Sequence, residues 1–200
     1  MTSNDVATSV SCCPACQASL PGDPAACDRC GLARTSAGWP QDQRLGRTLA
    51  GGHYRVKRRL GAGGFGTVYL VETTVGSLRR ALKVLHPELA SDPAVRERFI
   101  NEAIVLEQLN HPNIARCYAA GMLDENGGEL YLLLEFVDGV PLAAELKGPD
   151  GPAPLDTLRA VRLAKQIASG LVVVHANQVL HRDLKPQNVL VVAPARPASA

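Results

Sequence analysis

The alternation of apolar and polar residues from position 53 onward predicts a small antiparallel sheet. Tyr54, Val56 and Leu60 share one face of a first strand whose other face is basic. A glycine-rich break follows, and residues 67–73 resume the strand pattern, which is typical of a hairpin. Residues 124–128 (Asp-Glu-Asn-Gly-Gly) predict a turn between two further strands. The predicted strands lie at residues 54–60, 67–73, 79–86, 114–123 and 129–138.

Two amphipathic stretches predict helices. Residues 91–110 begin with Ser91 or Asp92 as the N-cap and with Pro93 in the first turn. Residues 155–178 repeat apolar side chains at helical spacing along one face. A small sheet with one helix, followed by a mostly helical part, indicates an α+β fold of two lobes.

Composition excludes some classes of protein but does not indicate a binding or catalytic site. The net charge of +2 over 200 residues favours neither nucleic acid nor an acidic partner. The first ten residues lack the basic and apolar regions of a signal peptide, and no apolar run approaches the roughly 18 residues of a membrane span. We therefore expect a cytoplasmic protein with no membrane segment in this chain.

The cysteines cluster near the N-terminus. Cys13 and Cys16 form one Cys-x-x-Cys knuckle, and Cys27 and Cys30 form a second. This spacing lets four thiolates surround one Zn²⁺ ion, so we predict a structural zinc site that resembles a small zinc ribbon. Redox-active thiols or disulfides are the alternatives, and Cys12 could take the place of Cys13 as a ligand.

Glycines at positions 61, 63, 64 and 66 form the tip of the predicted hairpin. The pattern Gly-x-Gly-x-x-Gly usually opens a helix in a dinucleotide-binding fold, but here a strand follows it. No Gly-Lys-Ser/Thr is present in the stretch, which excludes a Walker A loop. Two interpretations remain: a flexible hairpin turn, or a bare tip whose backbone N–H groups close over phosphate oxygens.

Lys83 and Glu102 each place a charge among apolar neighbours. Lys83 lies between Ala81 and Leu85 on one face of the third strand, and Glu102 lies on the apolar seam of the first helix. Because an unpaired buried charge is costly, we predict that the two pair when the helix packs on the sheet. Lys83 would then be held where it can reach phosphates. The alternative is two unrelated surface side chains.

The stretch His-Arg-Asp-Leu-Lys-Pro-Gln-Asn at residues 181–188 matches the pattern H-R-D-x-x-x-x-N, and with it the sequence resembles the protein kinase family. Four motifs occur in the family's order: the Gly-rich hairpin, the strand Ala-Leu-Lys-Val-Leu, the helix Arg-Phe-Ile-Asn-Glu-Ala and this loop. The resemblance covers about residues 54–192. Lys185, two residues after Asp183, is similar to the serine/threonine branch.

The resemblance implies a fold and an activity. The fold is a five-stranded antiparallel N-lobe with one helix, followed by a truncated helical C-lobe and preceded by the small zinc ribbon. The activity is transfer of the γ-phosphate of ATP to a Ser or Thr hydroxyl of a protein substrate, with Mg²⁺ as cofactor. The implied segments are a zinc-ribbon-like module of four cysteines at 11–31, a linker at 32–52, a kinase N-lobe at 53–137 and a partial C-lobe at 138–200.

Residue roles follow from the same resemblance. Lys83, oriented by Glu102, would hold the α- and β-phosphates of ATP. Asp183 would accept the proton of the substrate hydroxyl, Lys185 would steady the γ-phosphate, and Asn188 would ligate Mg²⁺. Leu134 is similar to the gatekeeper residue. The residues implied to contact the nucleotide, by side chain or backbone, are Leu60, Gly61, Ala62, Gly63, Gly64, Phe65, Gly66, Val68, Ala81, Lys83, Leu134, Glu135, Val137 and Leu190.

The sequence departs from the family pattern after Asn188. Residues 189–200 contain no Asp-Phe-Gly, whose Asp is the family's second metal ligand, and the activation segment and later helices are also absent. We therefore expect the chain as given to be an inactive fragment with an exposed apolar face on the second helix. The alternatives are a pseudokinase, against which the four intact charged and amide groups argue, and a zinc-ribbon adaptor that uses the kinase-like part as a scaffold.

Overall fold

The computed structural model describes residues 11–20, 22, 24–123, 129–148 and 151–192. The predicted turn at residues 124–128 lies outside the described residues, and so does the side chain of Glu102. The chain divides into two compact units, Met1–Ile100 with Ala119–Leu134 and Asn101–Tyr118 with Glu135–Ala200, and each is described by itself.

The described elements begin with short strands and end with a long helix and a short strand. The strands are β1 (Ser11–Cys12), β2 (Ser19–Leu20), β3 (Thr48–Leu49), β4 (Tyr54–Gly63), β5 (Gly66–Thr73), β6 (Arg79–Leu85), β7 (Cys117–Met122), β8 (Leu130–Glu135), β9 (Val140–Pro141), β10 (Lys147–Gly148), β11 (Gly151–Pro152) and β12 (Leu190–Val191). The helices are α1 (Pro87–Ala90), α2 (Pro93–Gln108), α3 (Leu142–Glu145) and α4 (Thr157–Ala176), with a 3-10 turn at Pro186–Asn188.

A six-stranded sheet organises the first unit, in the order β3-β4-β5-β6-β8-β7. β4 and β5 form the glycine-tipped hairpin, and β5 and β6 also pair antiparallel, as the alternation predicts. The sequence predicted five strands, and the additional strand is β3, which pairs with Tyr54 and Arg55 at the edge. Two residues are too few to show an alternating pattern, which is why β3 could not be found from the sequence.

The two faces of the hairpin sheet differ in what they bury. Tyr69, Leu82 and Val84 point to one face and belong to a core cluster. In the register of β5 and β6, Val68 opposes Lys83 and therefore lies on the other face. The buried members of the cluster are Val56, Tyr69, Val71, Leu82, Val84, Leu123, Tyr131 and Leu133. Lys83 thus lies on the face opposite to this core.

Residues 32–52, which the sequence predicted to be a linker, are hydrogen-bonded to the sheet. The hydroxyl of the buried Tyr69 donates to Asp42 Oδ2 at 2.9 Å, and Arg44 Nη1 donates to the same hydroxyl at 3.5 Å. Arg44 also forms an ion pair with Glu129. Burial, together with the charge of Asp42, raises the pKa of Tyr69, so the phenol stays neutral at physiological pH. The segment at residues 32–52 is therefore hydrogen-bonded to the sheet through Tyr69 on β5.

The helices begin at the caps that the sequence offers. Asp92 Oδ1 accepts the N–H of Ala94 at 2.9 Å, so of the two predicted caps for α2, Asp92 is the one that bonds. α4 begins after Asp156, whose side chain accepts the N–H of Arg159. Among the described residues, no helix is both long and apolar enough to cross a bilayer.

The apolar face of α4 is largely exposed. Leu158 and Val161, which the helical pattern places on the buried side, are 60% and 59% exposed. Within its unit, α4 forms an ion pair from Arg159 to Glu145 at 2.6 Å and packs closely at Gly170, where a Cβ would stand 3.4 Å from the carbonyl oxygen of Asn113. His111 Nε2 bonds the hydroxyl of Ser169 at 3.1 Å beside it. The predicted exposed stripe is therefore present in the structure.

Candidate functional site

The glycines at the hairpin tip differ in whether the surrounding structure leaves room for a side chain. A Cβ at Gly66 would lie 2.1 Å from the carbonyl oxygen of Val84, so the close approach of β5 and β6 leaves no room for a side chain. At Gly61, Gly63 and Gly64, no atom of the described chain beyond the adjacent residues would lie within 4 Å of an added Cβ, and none of the three has a positive φ. The protein's own packing therefore demands glycine only at Gly66. The other three leave open space along the backbone.

His86 holds the tip from the end of β6. Its Nε2 bonds the carbonyl oxygen of Gly63 at 3.0 Å, and its backbone N–H donates to the carbonyl of Phe65 at 3.2 Å. Phe65 itself is 66% exposed. Sequence reasoning missed His86, because its role depends on the register that brings the end of β6 beside the tip.

The remaining predicted nucleotide contacts of the first unit lie on β4, β5 and β6. Val68 and Lys83 are opposite each other across the sheet, and Leu70 opposite Ala81 continues the same face. Ala81 is buried and Lys83 is half-buried. Leu60 lies at a bulge in β4, where the pairing with β5 shifts register between Arg59 and Gly61.

The loop that follows α4 brings three predicted catalytic side chains together. Lys185 Nζ lies 2.7 Å from Asp183 Oδ1, and Asn188 Nδ2 donates to Asp183 Oδ2 at 2.9 Å and to its carbonyl at 2.7 Å. The bond from Lys185, followed by that from Asn188, lowers the pKa of Asp183. Arg182 adopts a φ of 57°, which is uncommon outside glycine and turns the loop so that Asp183 faces its two partners.

The hydrogen bonds of this loop fix the orientation of the side-chain amide of Asn188. Because its nitrogen donates twice to Asp183, its Oδ1 faces away from those bonds and is the atom left to bind a cation. All residues from His181 to Asn188 are exposed, so a ligand can reach them without any rearrangement of buried side chains. The arrangement is a carboxylate held between a cation and an amide, with the amide oxygen beside it.

Glu135 and Val137, which the resemblance implies as nucleotide contacts, lie at the end of β8 and just after it. The N–H of Glu135 donates to the carbonyl of Arg116 at 2.7 Å, and Glu135 Oε2 accepts the N–H of Arg116. A ligand could therefore use the carbonyl of Glu135 but not its N–H. Val137 accepts from the N–H of Gly139 at 3.0 Å through its carbonyl. Leu134 is half-buried just before this segment.

The strand that carries Leu190 is fixed by β9. Leu190 pairs with Pro141 and Val191 with Val140, and the N–H of Leu142 donates to Val189. Gly139 is required here, since a Cβ would meet the carbonyl oxygen of Val191 at 2.9 Å. The side chain of Leu190 is 44% exposed.

The four knuckle cysteines form a compact group. The Sγ atoms of Cys13 and Cys30 are 3.6 Å apart, as are those of Cys16 and Cys27, and all four lie within 4.8 Å of one another. Sulfurs bound to one tetrahedral Zn²⁺ at about 2.3 Å lie about 3.8 Å apart, whereas a disulfide needs about 2.05 Å. The group therefore fits a four-coordinate metal. Cys12 is exposed and lies outside it.

The pKa values of the buried thiols indicate how a bound cation would stabilise the cysteine group. Burial is the main cause that raises the pKa of both Cys16 and Cys30, and neighbouring thiols raise that of Cys30 further. Burial also acts on Cys27, but hydrogen bonds from the backbone N–H groups of Cys30 and Arg29, together with those to the thiols of Cys16 and Cys13, outweigh it and lower its pKa. Four thiolates would repel one another in so small a space, and a bound dication removes that penalty.

Comparison with known proteins agrees with the geometry. A model of the protein kinase domain matches residues 54–196. Serine/threonine-protein kinase pkn2 of Myxococcus xanthus is 40% identical over 145 residues, which is 72% of this chain and 17% of that protein. Serine/threonine-protein kinase PknH of Mycobacterium tuberculosis (strain H37Rv) is 40% identical over 151 residues, 76% of this chain and 23% of that protein. The chain thus spans about a fifth of the length of these relatives.

Solved structures show the same fold. The kinase domain of Mycobacterium tuberculosis PknI aligns with a TM-score of 0.65 and 33% identity, covering 76% of this chain and 58% of that one. A double mutant of the same kinase domain aligns with a TM-score of 0.67 and 33% identity over 78% of this chain and 59% of that one. On the matched model, the identities and the shared fold, this chain belongs to the protein kinase family, among its bacterial serine/threonine members.

Proposed function

We propose that this chain is the ATP-binding portion of a serine/threonine protein kinase, which transfers the γ-phosphate of ATP to Ser or Thr hydroxyls of a protein substrate. The observation that carries the proposal is the loop in which Asp183, Lys185 and Asn188 contact one another. These residue types at this spacing suit phosphoryl transfer, which needs positioning and cations rather than a covalent intermediate.

In this proposal the first unit supplies the phosphate contacts. The open backbone at Gly61, Gly63 and Gly64 leaves room for phosphate oxygens beside N–H groups, and Lys83 supplies a cation on the same sheet. A structural turn would not need three glycines that have open space and ordinary backbone angles. This observation favours a ligand over the flexible-turn interpretation. The predicted partnership of Lys83 with Glu102 stays part of the proposal.

The second unit supplies the groups that act on the hydroxyl. The low pKa of Asp183 keeps its carboxylate charged near neutral pH, so it can accept a hydrogen bond from a Ser or Thr hydroxyl. A carboxylate of low pKa is a weak base, so we expect it to orient the hydroxyl first and to take its proton late. Lys185 and the Oδ1 of Asn188 are the groups here for the γ-phosphate and for Mg²⁺.

The 200 residues by themselves contain only one of the two metal ligands that the family implies. We therefore propose that this chain alone binds nucleotide but transfers little phosphate. Autophosphorylation of the purified 200-residue chain with radiolabelled ATP, if it disappeared in Lys83→Ala, would contradict this part. Reduced thiols and the use of ATP fit the cytoplasm, which stays our proposal for the compartment.

For the cysteine group we propose Zn²⁺. Cys13, Cys16, Cys27 and Cys30 would each give one thiolate, and the ion would hold together a module with little other structure. The use of this part as an adaptor, with the kinase part only a scaffold, is the second candidate function. The buried cysteine group favours it, because a closed structural metal site has no catalytic role of its own.

Thermal denaturation with Mg-ATP separates the two candidates. A ligand at 100 times its dissociation constant stabilises the folded state by about 2.7 kcal/mol. We expect Mg-ATP to raise the melting temperature of the wild type, and we expect this increase to be lost in Lys83→Ala. Lys57→Ala is the matched control, because Lys57 lies in the same sheet on β4, separated from the strand of Lys83 by β5, and pairs with Glu72 at 3.1 Å. Equal shifts in the two variants, or none in the wild type, would support the adaptor.

A further inference from the structure

The first cysteine knuckle is hydrogen-bonded to the strand that leads to the glycine-rich tip. Ala15 lies between Cys13 and Cys16 and is 1% exposed. Its carbonyl accepts the backbone N–H of Arg59, on β4, at 2.9 Å. Arg59 stands four residues before Gly63, where β4 ends. The knuckle and the nucleotide hairpin are thus joined by a direct main-chain bond.

This bond covers the open edge of β4. On the side away from β5, β3 pairs only with Tyr54 and Arg55. Next along the strand, Val56 exchanges backbone bonds with Gly46 and Arg47. Beyond the register shift that follows Val56, the carbonyl of Ala15 takes the N–H of Arg59. The knuckle therefore occupies the place that a neighbouring strand would fill.

Two further contacts join the module to the hairpin. Gly31, directly after Cys30, lies close enough to the tip that a Cβ on it would stand 3.9 Å from the carbonyl oxygen of Ala62. Leu45 packs against both the cysteine cluster and the sheet core. The bond at Arg59 is therefore part of a continuous contact that runs from the knuckles to the hairpin.

From these contacts we propose that the metal centre of Cys13, Cys16, Cys27 and Cys30 braces the glycine-rich hairpin, so that metal occupancy sets nucleotide affinity. Two-residue strands cannot hold the module without its ion, so metal loss releases Ala15 and opens the edge of β4. His86 holds the tip from the side of β6, but the other arm of the hairpin is β4, so an opened edge of β4 loosens the tip from that side. Nucleotide must in turn tighten metal binding, because coupling between two sites is reciprocal.

Variants of one residue separate the brace from the metal. Arg59→Pro removes the N–H that Ala15 accepts, at a position between the two register shifts of β4, where the strand pairing is already irregular. Arg59→Ala is the matched control, because it keeps the N–H and removes only the side chain. The Nε of that side chain is buried and has no hydrogen-bond partner within the described chain, so the substitution to alanine breaks no hydrogen bond at that atom.

The test uses the full chain in three forms: zinc-loaded, treated with a chelator, and loaded with Co²⁺ in place of zinc. Hydrogen exchange of residues 59–66 reports the brace, the cobalt absorption reports the metal site, and fluorescence titration with a labelled Mg-ATP analogue reports affinity. We expect chelation to raise exchange and to weaken nucleotide binding by about tenfold, within the usual range of coupled sites. Arg59→Pro should show the same weakening while keeping a tetrahedral cobalt spectrum, and Arg59→Ala should match the wild type.

The outcomes distinguish this inference from the nucleotide assignment on which it rests. If chelation removes the metal and leaves both exchange and affinity unchanged, the brace is refuted. If the chain binds no metal, it is refuted as well. If the zinc-loaded chain binds no nucleotide, the proposed function fails, while exchange at residues 59–66 still decides the brace. Should Arg59→Pro not fold, the chelation arm and Cys27→Ser, with the exposed Cys12→Ser as its control, give the same decision.

Discussion

At the scale of single residues, the structure separates a glycine that the fold requires from glycines whose surroundings would admit a side chain. Gly66 stands against the carbonyl of Val84, whereas Gly63 has open space around it. The sequence shows both only as members of one pattern. It cannot tell them apart, because the distinction depends on how closely β5 approaches β6.

Alanine at these two glycines should therefore have opposite consequences. Gly66→Ala forces a Cβ into backbone, and we expect it to lower the free energy of unfolding by about 1–3 kcal/mol. Gly63→Ala should leave that free energy within about 0.5 kcal/mol of the wild type but weaken Mg-ATP binding about tenfold, or about 1.4 kcal/mol. Urea denaturation and nucleotide titration measure the two effects. Equal destabilisation by both variants would show that the tip serves packing alone.

The charge state of Asp183 gives a second prediction at this scale. Lys185 and Asn188 lower its pKa in the folded chain from the ordinary 3.8, so the stabilisation exists above the unfolded value and disappears as pH falls through the folded one. A ¹³C NMR titration of the carboxyl carbon should give a midpoint below 3.8. In Lys185→Met the midpoint should rise toward 3.8. A midpoint that the substitution does not move would contradict the ion pair at 2.7 Å.

At the scale of elements, long periodic segments were predictable and short ones were not. α4 (Thr157–Ala176) and the β4–β5 hairpin match the sequence pattern, because each repeats its period often enough to be read. β3 and α1 (Pro87–Ala90) are too short to carry a period. Their positions come from tertiary contacts, as does the attachment of residues 32–52 to the sheet.

The hydrogen bond between Tyr69 on β5 and Asp42 yields a prediction at this scale. Tyr69→Phe removes the hydroxyl that donates to Asp42 Oδ2 and leaves that oxygen without its donor, which should cost about 1–2 kcal/mol of unfolding free energy. A double-mutant cycle with Asp42→Ala supplies its own control. We expect the two losses to be non-additive by about 1 kcal/mol in urea denaturation. Strict additivity would mean that the segment does not depend on this bond.

At the scale of the whole molecule, the family was readable because its chemistry is local in sequence. Asp183, Lys185 and Asn188 fall within six residues, so their contact required only one loop to fold as the family's does. The four cysteines were readable for the same reason, since two tight knuckles need only be brought together. The bond between a knuckle and β4 joins residues 44 positions apart through main-chain atoms, and no side-chain pattern records it.

The exposed face of α4 also belongs to this scale. Leu158 and Val161 leave apolar area uncovered among the described residues, although the pattern of the helix was predicted correctly. Periodicity tells which side of a helix is apolar but not what covers it. The sequence could therefore indicate the orientation of the stripe and could not supply its partner.

The most direct test of the central claim is to label the chain with an acyl phosphate of ATP, which transfers its acyl group to amines beside the terminal phosphates. The chain has five lysines, at positions 57, 83, 147, 165 and 185. If this is the ATP-binding part of a kinase, mass spectrometry will find acyl groups on Lys83 and Lys185, with both lost when excess Mg-ATP competes. Uniform labelling of all five lysines, or labelling that Mg-ATP does not reduce, would contradict the account.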